Sequence, residues 1–297
     1  MSKSDSSREP GGAVRRLDVA AAAAAGVSRR RAQRLIADGV VTVNGRAAGA
    51  GDKGLSVGPG DVVAVRPGVG LVVPEPEAAL DVLAEGPGWV AAAKPAGVAV
   101  HPLREGETGT LLNAVAARYP QVQGVGAEGG EGGLASGVVH RLDVATSGVV
   151  LLALDEPTWV RLRGAFAGHR VEKRYRAVVA GRPEPSGRAD VWLAVTRHRP
   201  ARVSVVDASR RGARRCGLSW RTLNTLADAT EIEVDLETGF LHQVRVTLAH
   251  LGHPVLGDRV YGGGAAGRLM LHAASLRFEE IEAVCPPPPG YGGVGGA

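Results

Sequence analysis

Aromatic side chains and cysteines are both scarce in this sequence of 297 residues. Phe, Trp and Tyr together make up 4% of the chain, so each ring outside the core needs a functional explanation. The two cysteines, Cys216 and Cys285, lie far apart without CxxC spacing, which predicts neither a metal site nor a disulfide framework. No apolar run reaches the roughly 18 residues that a membrane-spanning helix needs. We therefore expect a cytoplasmic protein that does not enter a membrane.

The net charge of +5 is concentrated at one end of the chain. Up to Gly68 there are eleven Lys and Arg residues against six acidic residues, whereas the remainder holds 24 of each. A small basic segment joined to a large neutral one is typical of an appended module that binds a polyanion.

A short basic helix is predicted inside this segment. Ser28 can cap a helix that runs from Arg29 to Asp38 and ends at Gly39. At about 100° per residue, three apolar side chains share one face and three basic ones share the other: Ala32, Leu35 and Ile36 against Arg30, Arg31 and Arg34. Asn44-Gly45 then predicts a hairpin turn. A charged helix face is ordinarily a solvated one, but beside a hairpin it can also lie along a phosphate backbone.

The order of these segments resembles that of the S4-type RNA-binding domain. The matching stretches are Arg16-Leu17-Asp18, Ser28 to Arg31, Gly39 to Gly45, and Pro59 to Val62. The resemblance covers residues 15–67 and implies that Arg30, Arg31 and Arg34 contact RNA. It also makes the Ala-rich run of residues 20–25 the first helix, in agreement with the high helix propensity of Ala.

Composition divides the whole chain into five parts. Residues 1–14 are polar with charges of both signs, which predicts a disordered tail and no signal peptide. The basic module follows at 15–67, a linker rich in Gly, Pro and Val at 68–79, the main domain at 80–282, and a disordered Pro/Gly-rich tail at 283–297. A glycine-rich stretch from Gln121 to Gly137 predicts a long surface loop. It follows no strand and lacks the Gly-Lys-Ser/Thr ending of a phosphate loop.

Within residues 80–282, predicted strands come at irregular spacing with few helices between them. The strand candidates are Trp89–Ala93, Val149–Leu154, Arg174–Val179, Val191–Val195, Val203–Val206, Glu231–Leu236 and Leu269–Ser275. Helices are predicted over Thr158–Ala167 and His242–Leu251. Without a regular strand–helix alternation, the pattern predicts an α+β fold with a mixed, mostly antiparallel sheet.

One acidic residue of this domain stands in a distinctive setting. Asp143 ends the run His140-Arg141-Leu142-Asp143 and is followed by Thr146-Ser147-Gly148, in a turn that leads into the apolar run Val149–Ala153. A carboxylate in such a turn is held rigidly at the edge of a core. An isolated Asp in a turn would imply no function. The complete pattern, however, resembles the signature of the RluA-type pseudouridine synthases.

Further segments resemble the same family in the same order. They are Lys94 to Val98 with His101, Lys173-Arg174-Tyr175, Thr238-Gly239, His242 to Val246, Ala249 to Pro254, Gly257-Asp258, Tyr261-Gly262, and Leu271-His272-Ala273. The likeness runs from about Leu80 to Phe278 and implies a pseudouridine-synthase-like core. Two departures bear on substrate choice and rate. Phe240-Leu241 stand where the family usually has Arg followed by Thr or Ser, and Thr247 stands where His is common.

The resemblance implies that the protein isomerises uridine in RNA with Asp143 as its catalytic carboxylate. Uracil is detached from ribose at nitrogen and rejoined through carbon 5, so no atoms are gained or lost and no cofactor or metal is expected. Asp143 could attack the sugar or the base, or remove a proton from the ribose. Arg245 is its implied partner. Tyr175 is the implied ring partner of the uracil, with a hydroxyl near the carbon 5 proton.

Other basic residues keep more than one interpretation. Arg141 could hold a phosphate or fill the space left by an extruded nucleotide. Structural or RNA-contacting roles are expected, rather than catalytic ones, for Lys94 and for the motif histidines His101, His242, His253 and His272. A basic run could line an RNA groove or form a solvated loop; its members are Arg197, Arg199, Arg202, Arg210, Arg211, Arg214 and Arg215.

The expected partner is RNA, either ribosomal or transfer RNA, with no obligate protein partner evident. The competing hypothesis is a non-catalytic RNA-binding or ribosome-assembly protein on the same fold. It leaves the combination of Asp143, Tyr175 and Arg245 unexplained. A hydrolase is a more distant alternative, since no paired carboxylate or positioned His has supporting spacing.

Overall fold

The computed structural model describes residues 14–25, 27, 29–65, 71–126, 133–289 and 291. The predicted cap Ser28 and the predicted tail up to residue 13 lie outside these ranges. No helix in this part of the chain is long and apolar enough to cross a membrane.

The N-terminal module packs two helices against short strands. Its elements are β1 (Arg15–Arg16), α1 (Leu17–Ala25), α2 (Arg29–Ala37), β2 (Val41–Val43), β3 (Arg46–Ala47), β4 (Ser56–Val57) and β5 (Val63–Val65). The predicted apolar face of α2, with Leu35 and Ile36, is fully buried against Leu17 and Val41. Asp18 is buried beneath this packing and accepts hydrogen bonds from Arg29 and from Gln33, at 3.0 and 2.7 Å. The buried carboxylate therefore ties the two helices together.

The larger domain is built on one ten-stranded sheet. Its strands are β6 (Asp81–Gly86), β7 (Trp89–Lys94), β8 (Ser147–Ala153), β9 (Glu172–Ala180), β10 (Ser186–His198), β11 (Ala201–Val205), β12 (Arg214–Thr225), β13 (Ala229–Leu236), β14 (Leu271–Phe278) and β15 (Ile281–Val284). The helices are α3 (Leu111–Arg118), α4 (Glu156–Ala167) and α5 (Gln243–His250). Nine strands follow the order β11-β10-β12-β13-β9-β14-β8-β7-β6, and β15 pairs with β14. Among the described strands of this sheet only β14 and β8 pair in parallel, so the predicted mixed, mostly antiparallel α+β fold is confirmed.

Strand β14 lies at the centre of this sheet although it comes late in the sequence. It pairs with β9 on one side and with β8 on the other. The contact with β8 is so close that a Cβ on Gly148 would lie 2.1 Å from the carbonyl oxygen of Ala273. Gly148 also has a φ of +120°, which a residue with a side chain rarely adopts. Gly148 is therefore required where the Asp143 turn enters the sheet.

Two segments predicted to be linker or tail are packed against the domain. Of the predicted linker, residues 71–79 are described, and the backbone N–H and C=O of Val72 both bond to the Gln123 side chain, at 3.0 and 2.7 Å. The predicted start of a disordered tail at residue 283 is wrong. Strand β15 runs to Val284, and the Tyr291 hydroxyl lies 2.6 Å from the carbonyl oxygen of Arg176. Backbone pairing and the bonded hydroxyl of a half-buried ring outweigh the Pro/Gly-rich composition here.

Candidate active site

The turn that carries Asp143 is anchored from beneath by His140. The His140 ring stacks on Phe166 with centroids 4.6 Å apart, and its Nε2 accepts the backbone N–H of Leu151 at 2.9 Å. Burial lowers the pKa of His140 to about 3, with a smaller contribution from the charge of Lys173. The ring is therefore neutral and structural, and its bond to β8 fixes the start of the turn.

Lys94 anchors the other side of the same turn. Its side chain is almost fully buried, and Nζ donates to the carbonyls of Pro95, Val98 and Val144 at 2.7, 2.7 and 3.1 Å. Burial lowers the pKa of Lys94 to about 8, although the negative charge of Asp143 opposes the shift. The ammonium group thus holds the residue after Asp143 against the Lys94–Val98 loop. This is a positioning contact that accounts for the lysine in the first motif.

Arg245 links two carboxylates. Its Nη1 donates to Asp143 Oδ2 at 2.8 Å, while Nε and Nη2 donate to Asp258 at 2.7 and 2.9 Å. Burial opposes the charge of Arg245, but the hydrogen bonds to both carboxylates outweigh it and raise the pKa of the guanidinium. Arg245 thus lies beside Asp143, where the sequence resemblance implies it. Asp258, to which the sequence assigned no role, orients the arginine.

The two carboxylates have different surroundings. Asp258 is fully buried, and its Oδ1 also accepts the backbone N–H groups of Val260 and Tyr261, at 2.9 and 3.1 Å. Asp143 keeps 19% of its side chain exposed, and Arg245 bonds only its Oδ2. Oδ1 of Asp143 is therefore the carboxylate oxygen available to a bound molecule.

Tyr175 reaches the same place from strand β9. It lies opposite Val234 of β13 and Ala273 of β14 in the sheet. Burial, followed by the negative charge of Asp143, raises the pKa of the Tyr175 hydroxyl above its usual range. The hydroxyl is therefore protonated at neutral pH, and the half-buried ring offers an apolar surface beside the carboxylate.

A cavity of about 80 Å³ joins these side chains. Asp143, Tyr175 and Arg245 line it together with Arg141, Phe240 and His242. Phe240 is one of the two departures from the family pattern, and it contributes an apolar ring where the family usually has a charged side chain. Thr247, the other departure, is buried in α5 and does not line the cavity. Among the described residues no group of three or more His, Cys, Asp or Glu side chains could hold a metal ion.

His242 also lines this cavity, and sequence reasoning assigned it only a structural or RNA-contacting role. Its Nε2 lies 3.9 Å from Asp143 Oδ1, and its Nδ1 lies 2.9 Å from the Tyr261 hydroxyl. It stands immediately before α5 with a left-handed φ of 55°. The histidine belongs to the third motif, but the motif alone does not separate a packed ring from one that faces the cavity.

Comparison with known families agrees with this geometry. The family model described as RNA pseudouridylate synthase matches residues 88–250, and the S4 domain model matches residues 15–63. This chain belongs to the RNA pseudouridylate synthase family. It is an RNA pseudouridine synthase, an isomerase, with an S4 domain at its N-terminal side. The resemblances inferred from the sequence are therefore confirmed.

Individual relatives extend over most of the synthase. An uncharacterized RNA pseudouridine synthase of Chloroflexus aurantiacus is 36% identical over 283 residues, covering 88% of this chain and 83% of that protein. Ribosomal large subunit pseudouridine synthase D of Zymomonas mobilis is 38% identical over 197 residues, covering 62% of this chain and 60% of that protein. The solved structure of human RNA pseudouridylate synthase domain containing 1 has a TM-score of 0.58 at 23% identity, over 72% of this chain and 86% of that chain. The structural likeness shows the fold.

The basic residues predicted to bind RNA fall into three places on the synthase. Arg141 is exposed at the rim of the cavity. Arg30 and Arg34 are exposed on α2 in the S4 domain, whereas Arg31 forms an ion pair with Glu105 of the catalytic domain. The predicted helix face is therefore divided between solvent and a contact within the protein.

The basic run of residues 197–215 follows the β10–β11 hairpin and the loop after it. Arg197 and Arg202 are cross-strand partners in the hairpin. Arg202 also lines a groove with His250 and Arg259, and this groove reaches Tyr261 beside the active-site cavity. Arg215, in contrast, is paired with Asp190 at 3.0 Å. The run thus contributes one arginine to a groove and another to a surface ion pair.

Proposed function

We propose that the synthase isomerises specific uridines in ribosomal RNA and that Asp143 is its catalytic carboxylate. The observation that carries the catalytic assignment is the ion pair between Arg245 and Asp143 Oδ2, which leaves Oδ1 open to the cavity. The similarity to a relative named for the large ribosomal subunit supports ribosomal RNA as the substrate. An S4 domain on the same chain agrees with a large, structured RNA.

The reaction places three demands on the cavity. The bond between ribose C1′ and uracil N1 breaks, the base turns, and a bond from C1′ to C5 forms. The proton on C5 is lost, and N1 gains one. A negative group must act beside the sugar, an apolar surface must hold the detached base, and a proton acceptor must reach C5.

Asp143 meets the first demand. The Arg245 guanidinium binds Oδ2 of this carboxylate and leaves Oδ1 facing the cavity. The charged oxygen Oδ1 can then attack the sugar or the base, or take a proton from the ribose. All three routes use the same oxygen, so the assignment of Asp143 does not depend on which one the enzyme follows.

Tyr175 and Phe240 meet the second demand, because their rings line the cavity on which a flat base packs. Tyr175 also serves the third. Since its raised pKa keeps the hydroxyl protonated, it accepts the C5 proton only while its own proton leaves to solvent, which in turn supplies the proton on N1. We therefore assign Tyr175 a proton-relay role in addition to ring packing.

We assign binding of the RNA beyond the target nucleotide to the exposed arginines. Arg141 at the rim is placed to hold a phosphate or to fill the gap left by an extruded nucleotide. Arg202, His250 and Arg259 extend a basic groove from the cavity, and basic grooves bind the phosphate backbone. Arg30 and Arg34 add affinity from the S4 domain.

The first test is to map pseudouridine in total RNA from cells with and without the gene. Deletion cells are rescued with wild type, with Asp143→Asn, or with Asp190→Asn as a matched control on the exposed face of β10. Sites that disappear on deletion and return with wild type and Asp190→Asn, but not with Asp143→Asn, identify both the reaction and the RNA. Unchanged sites, or full rescue by Asp143→Asn, would instead favour the non-catalytic RNA-binding function.

A further inference from the structure

His242 is a half-buried polar side chain whose Nδ1 is hydrogen-bonded and whose Nε2 faces the Asp143 carboxylate. Only 13% of its side chain is exposed, and it lies between Tyr261 and Asp143. Its Nε2 is 3.9 Å from Asp143 Oδ1, which is beyond hydrogen-bond range. Within the described residues Nε2 forms no hydrogen bond.

The partners of Tyr261 determine which nitrogen of His242 carries the proton. The Tyr261 hydroxyl accepts the backbone N–H of Val203 at 3.1 Å. Its own proton requires an acceptor, and His242 Nδ1 lies 2.9 Å away. With Nδ1 assigned as the acceptor of this bond, the neutral imidazole carries its hydrogen on Nε2.

The neutral form of His242 is favoured by its surroundings. Burial lowers the pKa of the ring, and the charges of Arg245 and Arg141 act in the same direction, although the negative charges of Asp143 and Asp258 oppose it. A neutral ring with a fixed tautomer offers one N–H at a defined position. Here that N–H lies next to the carboxylate oxygen that Arg245 leaves open.

We propose that His242 donates its Nε2–H to an oxygen of the target nucleotide while Asp143 Oδ1 acts on the same nucleotide. This inference rests on the proposed function of the cavity. A uridine presents acceptor oxygens on both its base and its ribose, so either part of the nucleotide offers a partner to a donor beside Oδ1. Tyr261 is then a positioning residue, because it sets the tautomer without facing the nucleotide.

Two substitutions of His242 distinguish a role as hydrogen-bond donor from a role as a packed ring. The amide nitrogen of Gln reaches the position of Nε2, whereas the shorter Asn places its amide near Nδ1. We expect His242→Gln to retain turnover within about tenfold of wild type and His242→Asn to lose about 10²-fold in kcat, as for other single donors at a reacting centre. KM should change little in both, since most RNA contacts lie elsewhere.

The assay is release of tritium from ribosomal RNA that carries [5-³H]uridine, prepared from cells lacking the gene. Activity of wild type and its loss in Asp143→Asn are established first, so that failure of the proposed function is recognised separately. Thermal unfolding of each variant controls for folding. Equal kcat losses in His242→Gln and His242→Asn, or none in either, would overturn the donor role.

The tautomer is measured independently by ¹⁵N NMR of protein labelled at histidine, without RNA. Correlations from the ring carbons should place the His242 hydrogen on Nε2 in the wild type. In Tyr261→Phe, which removes the hydroxyl that donates to Nδ1, the hydrogen should distribute between both nitrogens and kcat should fall. A wild-type ring with its hydrogen on Nδ1 would contradict the proposal, whatever the activity of the variants.

Discussion

At the scale of single residues, Asp143 and Asp258 are two carboxylates bonded to the same arginine, Arg245. Their different surroundings give them different roles. Asp258 is buried with both oxygens bonded, so it has no capacity left for a substrate. Asp143 gives one oxygen to Arg245 and keeps the other. The fully bonded carboxylate orients the arginine, and the partly bonded one faces the cavity.

Tyr175 permits a test of the proton relay at the same scale. We expect Tyr175→Phe to lower kcat by about 10²- to 10⁴-fold, the usual range for general acid–base catalysis, with RNA affinity unchanged. Tyr175→Leu should weaken RNA binding as well, because the ring is removed. Tritium release and RNA titration measure both quantities. Tyr119→Phe is the matched control, since the Tyr119 hydroxyl donates a hydrogen bond to Glu85 and lies away from the cavity. A Tyr175→Phe enzyme with wild-type kcat would limit Tyr175 to ring packing.

Sequence reasoning at this scale identified the residues that a motif marks by type and order. Asp143 and Arg245 are 102 positions apart, yet the prediction that they meet agrees with their contact. Sequence reasoning did not predict the hydrogen bond between His242 and Tyr261. The direction of that bond depends on the backbone N–H of Val203, which lies on a third element. Local sequence carries no information about such a partner.

At the scale of elements, the parallel contact between β14 and β8 fixes the Asp143 turn. Gly148→Ala would force a Cβ against the Ala273 backbone at a positive φ. We expect this change to lower the free energy of unfolding by about 2–5 kcal/mol and to reduce kcat, because the turn must shift. Chemical denaturation and tritium release check the two effects.

Gly164→Ala is the matched control for that substitution. Gly164 lies in α4 with open space where a Cβ would be added, so the change should stabilise the protein by up to about 1 kcal/mol. If Gly148→Ala behaves like this control, the close contact between the strands does not constrain the site.

The positions of the strands could be predicted from the sequence, but their order in the sheet could not. Apolar runs identified the strands, but their neighbours in the sheet depend on contacts distant in sequence. Val72 and Tyr291, which both bond to the domain, were predicted as linker and tail because their partners are distant in sequence. Composition describes what a segment prefers alone, whereas a packed ring and a paired backbone depend on the rest of the domain.

At the scale of the whole molecule, the S4 domain carries exposed arginines that lie outside the catalytic cavity. Replacing Arg30 and Arg34 with Ala should raise KM for ribosomal RNA and leave kcat unchanged, because these side chains lie outside the cavity. The slope of log affinity against log salt should become shallower by about one for each phosphate that the variant no longer neutralises. RNA titration at several salt concentrations measures the slope.

Arg277→Ala is the control for a general decrease in positive charge. Arg277 is exposed on the catalytic domain and paired with Glu172 at 2.8 Å. An equal change of affinity in this variant and in the Arg30 and Arg34 variant would show that net charge, and not the S4 surface, governs binding.

The central place of β14 has a consequence for the synthase while it is being made. Asp143 precedes β8 and Tyr175 lies on β9, and in the finished sheet β14 separates these two strands. A growing chain that has not yet reached Leu271 has two half-sheets and no fixed distance between the carboxylate and the ring. We therefore expect the carboxylate and the ring to come together only after β14 has been synthesised and has joined the two halves.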